Sequence, residues 1–385
     1  MEEQREQTGA PGQESLSSQT PPPETLHLGP VLDEQTNREV FGAHELAIIL
    51  SRFDVGVIEQ IQALPIGSRR SPKVRIRTRR GEFLLKRRAG GRDDPFRVAF
   101  AHDLMIHLAE RGYPVPRLVG TRDDNNSLVQ FTGRTYELFE YVEGTRYDRT
   151  AEAAAEAGAA LGRLHDSLEG FESEYRPPVG TYHASREIDS KLSVIPAMVD
   201  AVSPHSDNAA LTRTCDFLSK AYRQAAVRVD QAGYRAWPAS VLHGDWHPGN
   251  LLFNGGRITA VLDFDSARLE PRMADVANAA LQFSMQMSTS ESATTWPEGL
   301  DLPLLIAVVR GYDDRVRRTL APAELDALPW LIIEALITES VLPIAATGSF
   351  AHLDGAAFLE MIRRKVLWIG PRAAKLSEFL KDGGR

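Results

Sequence analysis

Asp245, Asn250 and Asp263 are the residues of this chain whose types and spacing point most directly to chemistry. The first two stand in HGDWHPGN, His243 to Asn250, and the third follows thirteen residues later in VLDFD. A carboxylate that can orient a hydroxyl, then an amide oxygen and a second carboxylate that suit a hard cation, is a set fitted to phosphoryl transfer. That reaction asks a protein for positioning and charge neutralisation rather than covalent chemistry. Asp245 is the candidate catalytic carboxylate, and Asn250 and Asp263 are the candidate Mg²⁺ ligands. The bland reading of Asp245, a turn-capping aspartate, has to ignore its company.

Both intervals, Asp245 to Asn250 and Asn250 to Asp263, equal those between the catalytic loop and the metal-binding segment of protein kinases. Asp265 reads either as a further carboxylate near the metal or as an exposed loop acid. His243 and His247 do not make a zinc site, because no cysteine or further histidine lies at ligand spacing. His243 reads as a hydrogen-bonded structural residue and His247 as a candidate phosphate contact.

These groups need a nucleotide-holding partner element. KVRIRT, a turn at Arg80 and Gly81, and EFLLKRR read as a β-hairpin, with Lys86 on the strand face of Leu84. Lys86 is the candidate lysine for the α and β phosphates, against the reading of a solvated strand-end lysine. Gly67 and Ser68 could bring backbone N–H groups to phosphate oxygens, although the chain has neither GxGxxG nor GK[ST]. A helix follows, with Asp94 as N-cap, Pro95 at its first position, an apolar stripe of Phe96, Phe100, Leu104 and Leu108, and Gly112 past its end. LVQFT and TYELFEYV read as further strands. Beyond Glu143 and Gly144 come the alanine-rich AEAAAEAGAALGRLHDSL and helical periodicity over 272–288, 301–319, 322–346 and 354–381.

The expected fold class is therefore α+β, a small antiparallel β lobe plus a larger helical lobe. The expected division is a disordered tail over 1–30, rich in Gln, Glu, Pro, Ser and Thr, a nucleotide-binding lobe over 31–142, and a helical lobe over 143–385 carrying the catalytic loop and acceptor site. A net charge of −8 over 385 residues argues against bulk nucleic-acid binding. The basic run from Arg69 to Arg92 is the local exception, read as a solvated sheet face that protects an edge. One cysteine, Cys215, cannot form an internal disulfide and fits a reducing, cytoplasmic setting. The start of the chain lacks a signal-like pattern, and no segment is expected to span a bilayer.

HGDWHPGNLLF with VLDFD, the lysine in FLLKRR, ERGYPVPRLVG, YELFEYVEGT and LGRLHDSL together resemble the aminoglycoside phosphotransferase and choline kinase superfamily over about residues 41 to 370. The pattern is nearest to bacterial homoserine-kinase-like, stress-response-kinase-like and spore-coat-kinase-like members. The resemblance implies a bilobal protein-kinase-like fold and transfer of the ATP γ-phosphate to a hydroxyl of a small molecule such as homoserine, choline or a sugar. It also implies that the backbone of Glu140, Tyr141 and Val142 holds adenine, that Asp275 braces the catalytic loop, and that His165 is structural. Members usually carry a glutamate on the small-lobe helix to pair with the lysine. Here that turn reads AFAHDLM, and Asp103 is the nearest acid. A protein Ser/Thr kinase is the nearest alternative, disfavoured because His247 stands where such enzymes carry a lysine and no APE-like segment follows. A catalytically weak pseudokinase is the alternative from another class.

Overall fold

The computed structural model describes residues 31–33, 38–178, 180–204, 207–286 and 292–382. The tail expected over 1–30 lies outside them, as does the first half, 288–291, of the Ser/Thr-rich stretch 288–295 read from the sequence as a loop. A short hairpin, β1 (Val31–Asp33) and β2 (Arg38–Val40), leads into α1 (Ala43–Leu50). Five strands then form an antiparallel sheet: β3 (Ile58–Leu64), β4 (Lys73–Thr78), β5 (Gly81–Arg87), β6 (Val129–Phe131) and β7 (Arg134–Glu140), in the order β3-β4-β5-β7-β6. Alternation assigns the two sheet faces. Val74, Ile76, Leu85, Tyr136 and Leu138 pack with Ile49, Leu50 and Phe53 of α1 and its following turn. Leu84 and Phe139 point the other way and join the larger core.

The edge strand β3 and the α1 segment carried no clear signal, since β3, IEQIQAL, does not alternate strictly and six of its seven positions are exposed. The β4–β5 turn lies at Arg79 and Arg80, one residue earlier than expected, because Thr78 pairs with Gly81. Between β5 and β6 comes α2 (Pro95–Glu110), capped by the Asp94 carboxylate on the Phe96 and Arg97 N–H groups. Phe100, Leu104 and Leu108 are buried as expected; Phe96, at the open end of the stripe, is 70% exposed.

The helical part contains α3 (Ala151–Ser167), α4 (Glu187–Val202), α5 (Asn208–Gln231), α6 (Met273–Ser284), α7 (Leu302–Asp313), α8 (Pro322–Thr347), α9 (Gly355–Ile369) and α10 (Ala373–Lys381). The expected last helix is split at Gly370 and Pro371, where proline cannot continue the ladder. Helices α3 and α7 touch backbone to backbone: a Cβ on Gly158 would stand 1.9 Å from the Val308 carbonyl oxygen, so only glycine allows this crossing. α8 corrects one expectation. It is long and apolar enough to cross a membrane by length and composition, with a mean hydropathy of 1.6, but 78% of that window is buried inside the fold, as in the core helix of a globular body.

Two small hairpin-like pairs carry the loops of interest. β8 (Ala239–Leu242) pairs with β11 (Arg268–Pro271), and β9 (Leu251–Asn254) pairs with β10 (Arg257–Val261). The loop 243–250 runs from β8 to β9 and the segment 262–267 from β10 to β11, so the two pairings hold both loops at the same end.

Candidate active site

The loop 243–250 is pinned from below. Asp275, on the first turn of α6 and 1% exposed, accepts hydrogen bonds from the His243 N–H at 2.8 Å and the Gly244 N–H at 2.9 Å. His165 of α3 lies 3.3 Å from the same carboxylate through Nε2 and contacts the Tyr312 hydroxyl through Nδ1 at 2.9 Å. Asp275 is thus a buried brace rather than an exposed helix acid. Burial pushes its carboxyl pKa up, but His165 and His243 pull it below the usual value. His243 is fully buried, donates from Nε2 to the Leu262 carbonyl and accepts the Asp245 N–H at Nδ1, which ties the two loops together. Gly244 has φ 77°, and a Cβ there would stand 2.2 Å from the Ser266 carbonyl oxygen, so both the conformation and the space demand glycine.

This frame brings together the three residues singled out by spacing. Asn250 donates from Nδ2 to the Asp245 carbonyl at 3.0 Å and carboxylate at 3.2 Å, so both amide protons are directed at Asp245 while the amide oxygen remains as an acceptor. Asp263 has a left-handed backbone, φ 63°, an uncommon state for a non-glycine residue and one that concentrates at functional sites. Asp245 is held below its ordinary pKa by His247 and His243 despite burial and the repelling charge of Asp263. His247 stands beside Asp245, 3.6 Å from Nε2 to Oδ2, with Nδ1 accepting the Gly249 N–H. Like Asp245, it is not among the wall residues of the cleft described below, and it sits against the candidate catalytic carboxylate.

Lys86 is buried, not solvated, and meets three carboxylates: Asp265 at 2.8 Å, Asp263 at 3.2 Å and Glu137 at 3.9 Å. Burial opposes its charge, but Asp263, Asp265 and Glu137 win and raise its pKa. Asp263 is correspondingly held far below the carboxylate range by Lys86 and then Lys73, against burial. Asp265 is also engaged by Arg88 at 2.8 Å, which removes the reading of an exposed loop acid; burial, and then the neighbouring Asp263 charge, raise its pKa. Asp103 does not reach Lys86. It accepts a hydrogen bond from the Ser173 hydroxyl on the other side of α2, because α2 turns Ala101 and Met105, not position 103, toward the cleft.

The basic run divides. Arg69, Arg70, Arg77, Arg79, Arg80 and Arg92 are exposed, as expected of a solvated face, whereas Lys86, Arg87 and Arg88 are buried. Arg75 and Arg77 pair with Glu82 on the same hairpin, Arg79 with Glu59, Arg80 with Asp54, Arg87 with Glu39 and Glu45, and Arg88 with Glu137.

Between the sheet and these loops lies a cleft of about 350 Å³. Its walls include Leu64, Gly67, Lys73, Leu84, Lys86, Phe139, Glu140, Tyr141, Val142, Leu252, Asn250 and Asp263, an apolar slot at one end and charge at the other. Ser68 is not on the wall; its hydroxyl accepts the exposed Arg70 N–H. The Glu140 N–H is spent on the Arg117 carbonyl and the Tyr141 N–H on the Glu82 carbonyl, which leaves Val142 as the residue of this trio whose amide has no backbone partner among the described bonds. Lys73 is a cleft residue the sequence reading missed. It pairs across the hairpin with Lys86, and burial, then the Lys86 charge, lower its pKa. The expected turn at Arg80 and Gly81 would set Lys73 opposite Arg88; the turn at Arg79 and Arg80 sets it opposite Lys86.

The donor set fits a hard divalent cation: one amide oxygen and one carboxylate, with no group of three or more His, Cys, Asp or Glu placed for a metal among the described residues. Mg²⁺ commonly takes only one or two protein ligands and completes its shell with phosphates and water.

The model of the phosphotransferase enzyme family matches residues 62–325, which contain the cleft and both loops. The chain belongs to that family. A homoserine kinase of a Caulobacter species is 27% identical over 310 residues, covering 79% of this chain and 87% of that protein. A homoserine kinase of Brucella anthropi is 28% identical, covering 76% and 81%. Among solved structures, an amicoumacin kinase in complex with AMP-PNP and Ca²⁺ superposes with a TM-score of 0.63 at 13% identity, covering 85% of this chain and 93% of that one. A microcompartment-associated aminopropanol kinase gives 0.57 at 17%, covering 89% and 99%. The family member is thus an α+β protein of the kinase-like fold expected from its motifs.

Proposed function

We propose that this phosphotransferase moves the γ-phosphate of Mg²⁺-bound ATP to the hydroxyl of a small amino alcohol, with a homoserine-like molecule first among the candidates. The observation that carries the reading is that Asn250, Asp263 and Lys86 line the charged end of one cleft, with Asn250 hydrogen-bonded to the Asp245 carboxylate beside it. Asp245 accepts a hydrogen bond from the acceptor hydroxyl and takes its proton as the bond to phosphorus forms. Asn250 and Asp263 hold Mg²⁺, which neutralises phosphate charge. Lys86 and Lys73 face the phosphates from the sheet, and the segment 140–142 takes the adenine edge. A cytoplasmic setting suits a metabolite kinase whose single cysteine is buried and unpaired.

Homoserine kinases among the relatives support the amino-alcohol class. A feature of the chain agrees with it. Glu339 is exposed on α8 amid buried neighbours, and loss of hydration, then the Asp245 charge, raise its pKa. A carboxylate beside the catalytic one is a counter-charge for an acceptor ammonium.

The test is an ADP-release assay with the purified protein, Mg²⁺, ATP and a panel of homoserine, choline, aminopropanol, sugars and kanamycin-type drugs. A small amino alcohol giving the highest kcat/KM is the expected result. Glu339→Gln should then raise the acceptor KM and leave the ATP KM alone. Nucleotide binding by thermal shift with no turnover on any acceptor, peptides included, would favour a pseudokinase instead.

A further inference from the structure

We propose that Glu137, a strand residue, is the carboxylate that positions Lys86, and that the lysine is therefore held by the sheet and not by the small-lobe helix. This rests on the reading of the cleft as a nucleotide site.

Lys86 on β5 and Glu137 on β7 are direct cross-strand partners, so both side chains leave the sheet on the cleft face. Glu137 is 1% exposed and cannot wander. Arg88 grips it with two parallel hydrogen bonds, Nε to Oε2 and Nη2 to Oε1, both 2.8 Å. Nε2 of His102 lies 2.7 Å from Oε1, and Nδ1 of the same ring lies 2.7 Å from the Ser127 hydroxyl. A forked guanidinium pair of this kind fixes direction as well as charge. Burial works against the Glu137 charge, yet Arg88 and then Lys86 keep it ionised.

The other two acids around Lys86 are less suited to hold it during turnover. Asp263 is the candidate metal ligand, and its charge is claimed by the cation once nucleotide arrives. Asp265 is on the same segment two residues on, and it divides its two oxygens between Lys86 and Arg88. Glu137 lines the cleft, but its oxygens are already taken by Arg88 and His102, and it remains with Lys86 after Asp263 is engaged. α2 offers Ala101 and Met105 to the cleft and contributes to the pair only through His102, as a support for Glu137. In this arrangement a shift of α2 would not by itself separate the lysine from its carboxylate.

A double-mutant cycle on Mg·ATP affinity decides the matter, because residues acting through one another give non-additive losses. Glu137→Gln is isosteric and removes the charge. Its expected effect is a loss of Mg·ATP affinity of about tenfold in the otherwise unchanged protein, within the range for contacting pairs. In a Lys86→Met background the same change should do nothing further, and the acceptor KM should not move in either. An equal loss in both backgrounds, or a lowered melting temperature with unchanged affinity, would mean that Glu137 only serves the fold and would overturn the proposal. Should Glu137→Gln fail to fold, Glu137→Asp keeps the charge for Arg88, draws the carboxylate back from Lys86 and is subject to the same two outcomes. An unchanged protein that binds no Mg·ATP would instead bring down the functional reading on which this one stands.

Discussion

The side-chain amide of Asn250 directs its nitrogen at both the backbone carbonyl and the carboxylate of Asp245, at 3.0 and 3.2 Å. One residue thereby fixes the orientation of the candidate catalytic carboxylate and keeps its own oxygen available as an acceptor or ligand. The two functions of the loop are mechanically linked, and substitutions within it should separate binding from transfer only where the shared contact survives.

Asp245→Asn keeps the size of the side chain and removes its capacity to accept a proton. Nucleotide affinity should stay within a fewfold while kcat falls by about 10²–10⁴, the usual share of a positioned acid or base. Isothermal titration with ATP beside single-turnover kinetics checks both halves, and near-normal turnover would end the assignment.

Asp263→Ala should weaken ATP binding in the presence of Mg²⁺ far more than in its absence. The same change frees Lys86 from one of its three acids, so metal-free binding should hardly suffer. Equal shifts in titrations with and without Mg²⁺ would show that Asp263 is not a ligand.

Asp275→Ala leaves the buried N–H groups of His243 and Gly244 without an acceptor. Each orphaned donor costs about 1–3 kcal/mol. The expected outcome is a clear loss of stability in urea together with reduced kcat, since the brace and the loop are one structure. A variant that loses neither would show that the loop is held by its hairpin pairs alone.

Lys365 gives the fold a pH dependence in the alkaline range. It is fully buried on α9, donates to the Pro297 and Gly299 carbonyls at 2.7 and 3.0 Å, and burial lowers its pKa to about 8. Below about pH 8 the lysine is charged in both folded and unfolded chains, and the folded chain bears the full desolvation cost. Between about pH 8 and the ordinary lysine value of 10.5 the unfolded chain binds more protons, so this contribution to stability grows as pH rises. Comparing the unchanged protein with Lys365→Met by urea unfolding at pH 7 and pH 10 isolates the effect. The stability advantage of the unchanged protein should be larger at pH 10, and a constant difference would rule the titration out.

Much of the site was legible because its signals are local. The intervals within HGDWHPGN and on to Asp263 are covalent facts, and the alternation of FLLKRR fixed the face on which Lys86 leaves its strand. Asp94 with Pro95, and the alanine-rich α3, announced their helices through capping and propensity. Cross-strand pairing, in contrast, joins residues whose separation is set by an intervening helix and loops. Glu137 sits 51 positions after Lys86 in the chain, and only the β5–β7 register makes them neighbours. The alternation of TYELFEYV puts Glu137 on the face opposite Tyr136, but it cannot say which strand lies beside it.

The misplacement of Asp103 has the same origin. A helix carries residues of similar type around its whole circumference, and a rotation of two positions, about 200° at 100° per residue, decides whether position 101 or 103 faces the cleft. That rotation is set by how Phe100, Leu104 and Leu108 pack in the core, a tertiary matter. So, too, is the fate of Arg79, Arg87 and Arg88: their partners Glu59, Glu39, Glu45 and Glu137 come from elsewhere in the small sheet and its flanks. The sequence by itself determined the reacting groups and their order, since the motif is contiguous and its chemistry follows from residue type. Tertiary structure alone decided which charges neutralise which, because pairing energies depend on distance and burial that no linear interval encodes.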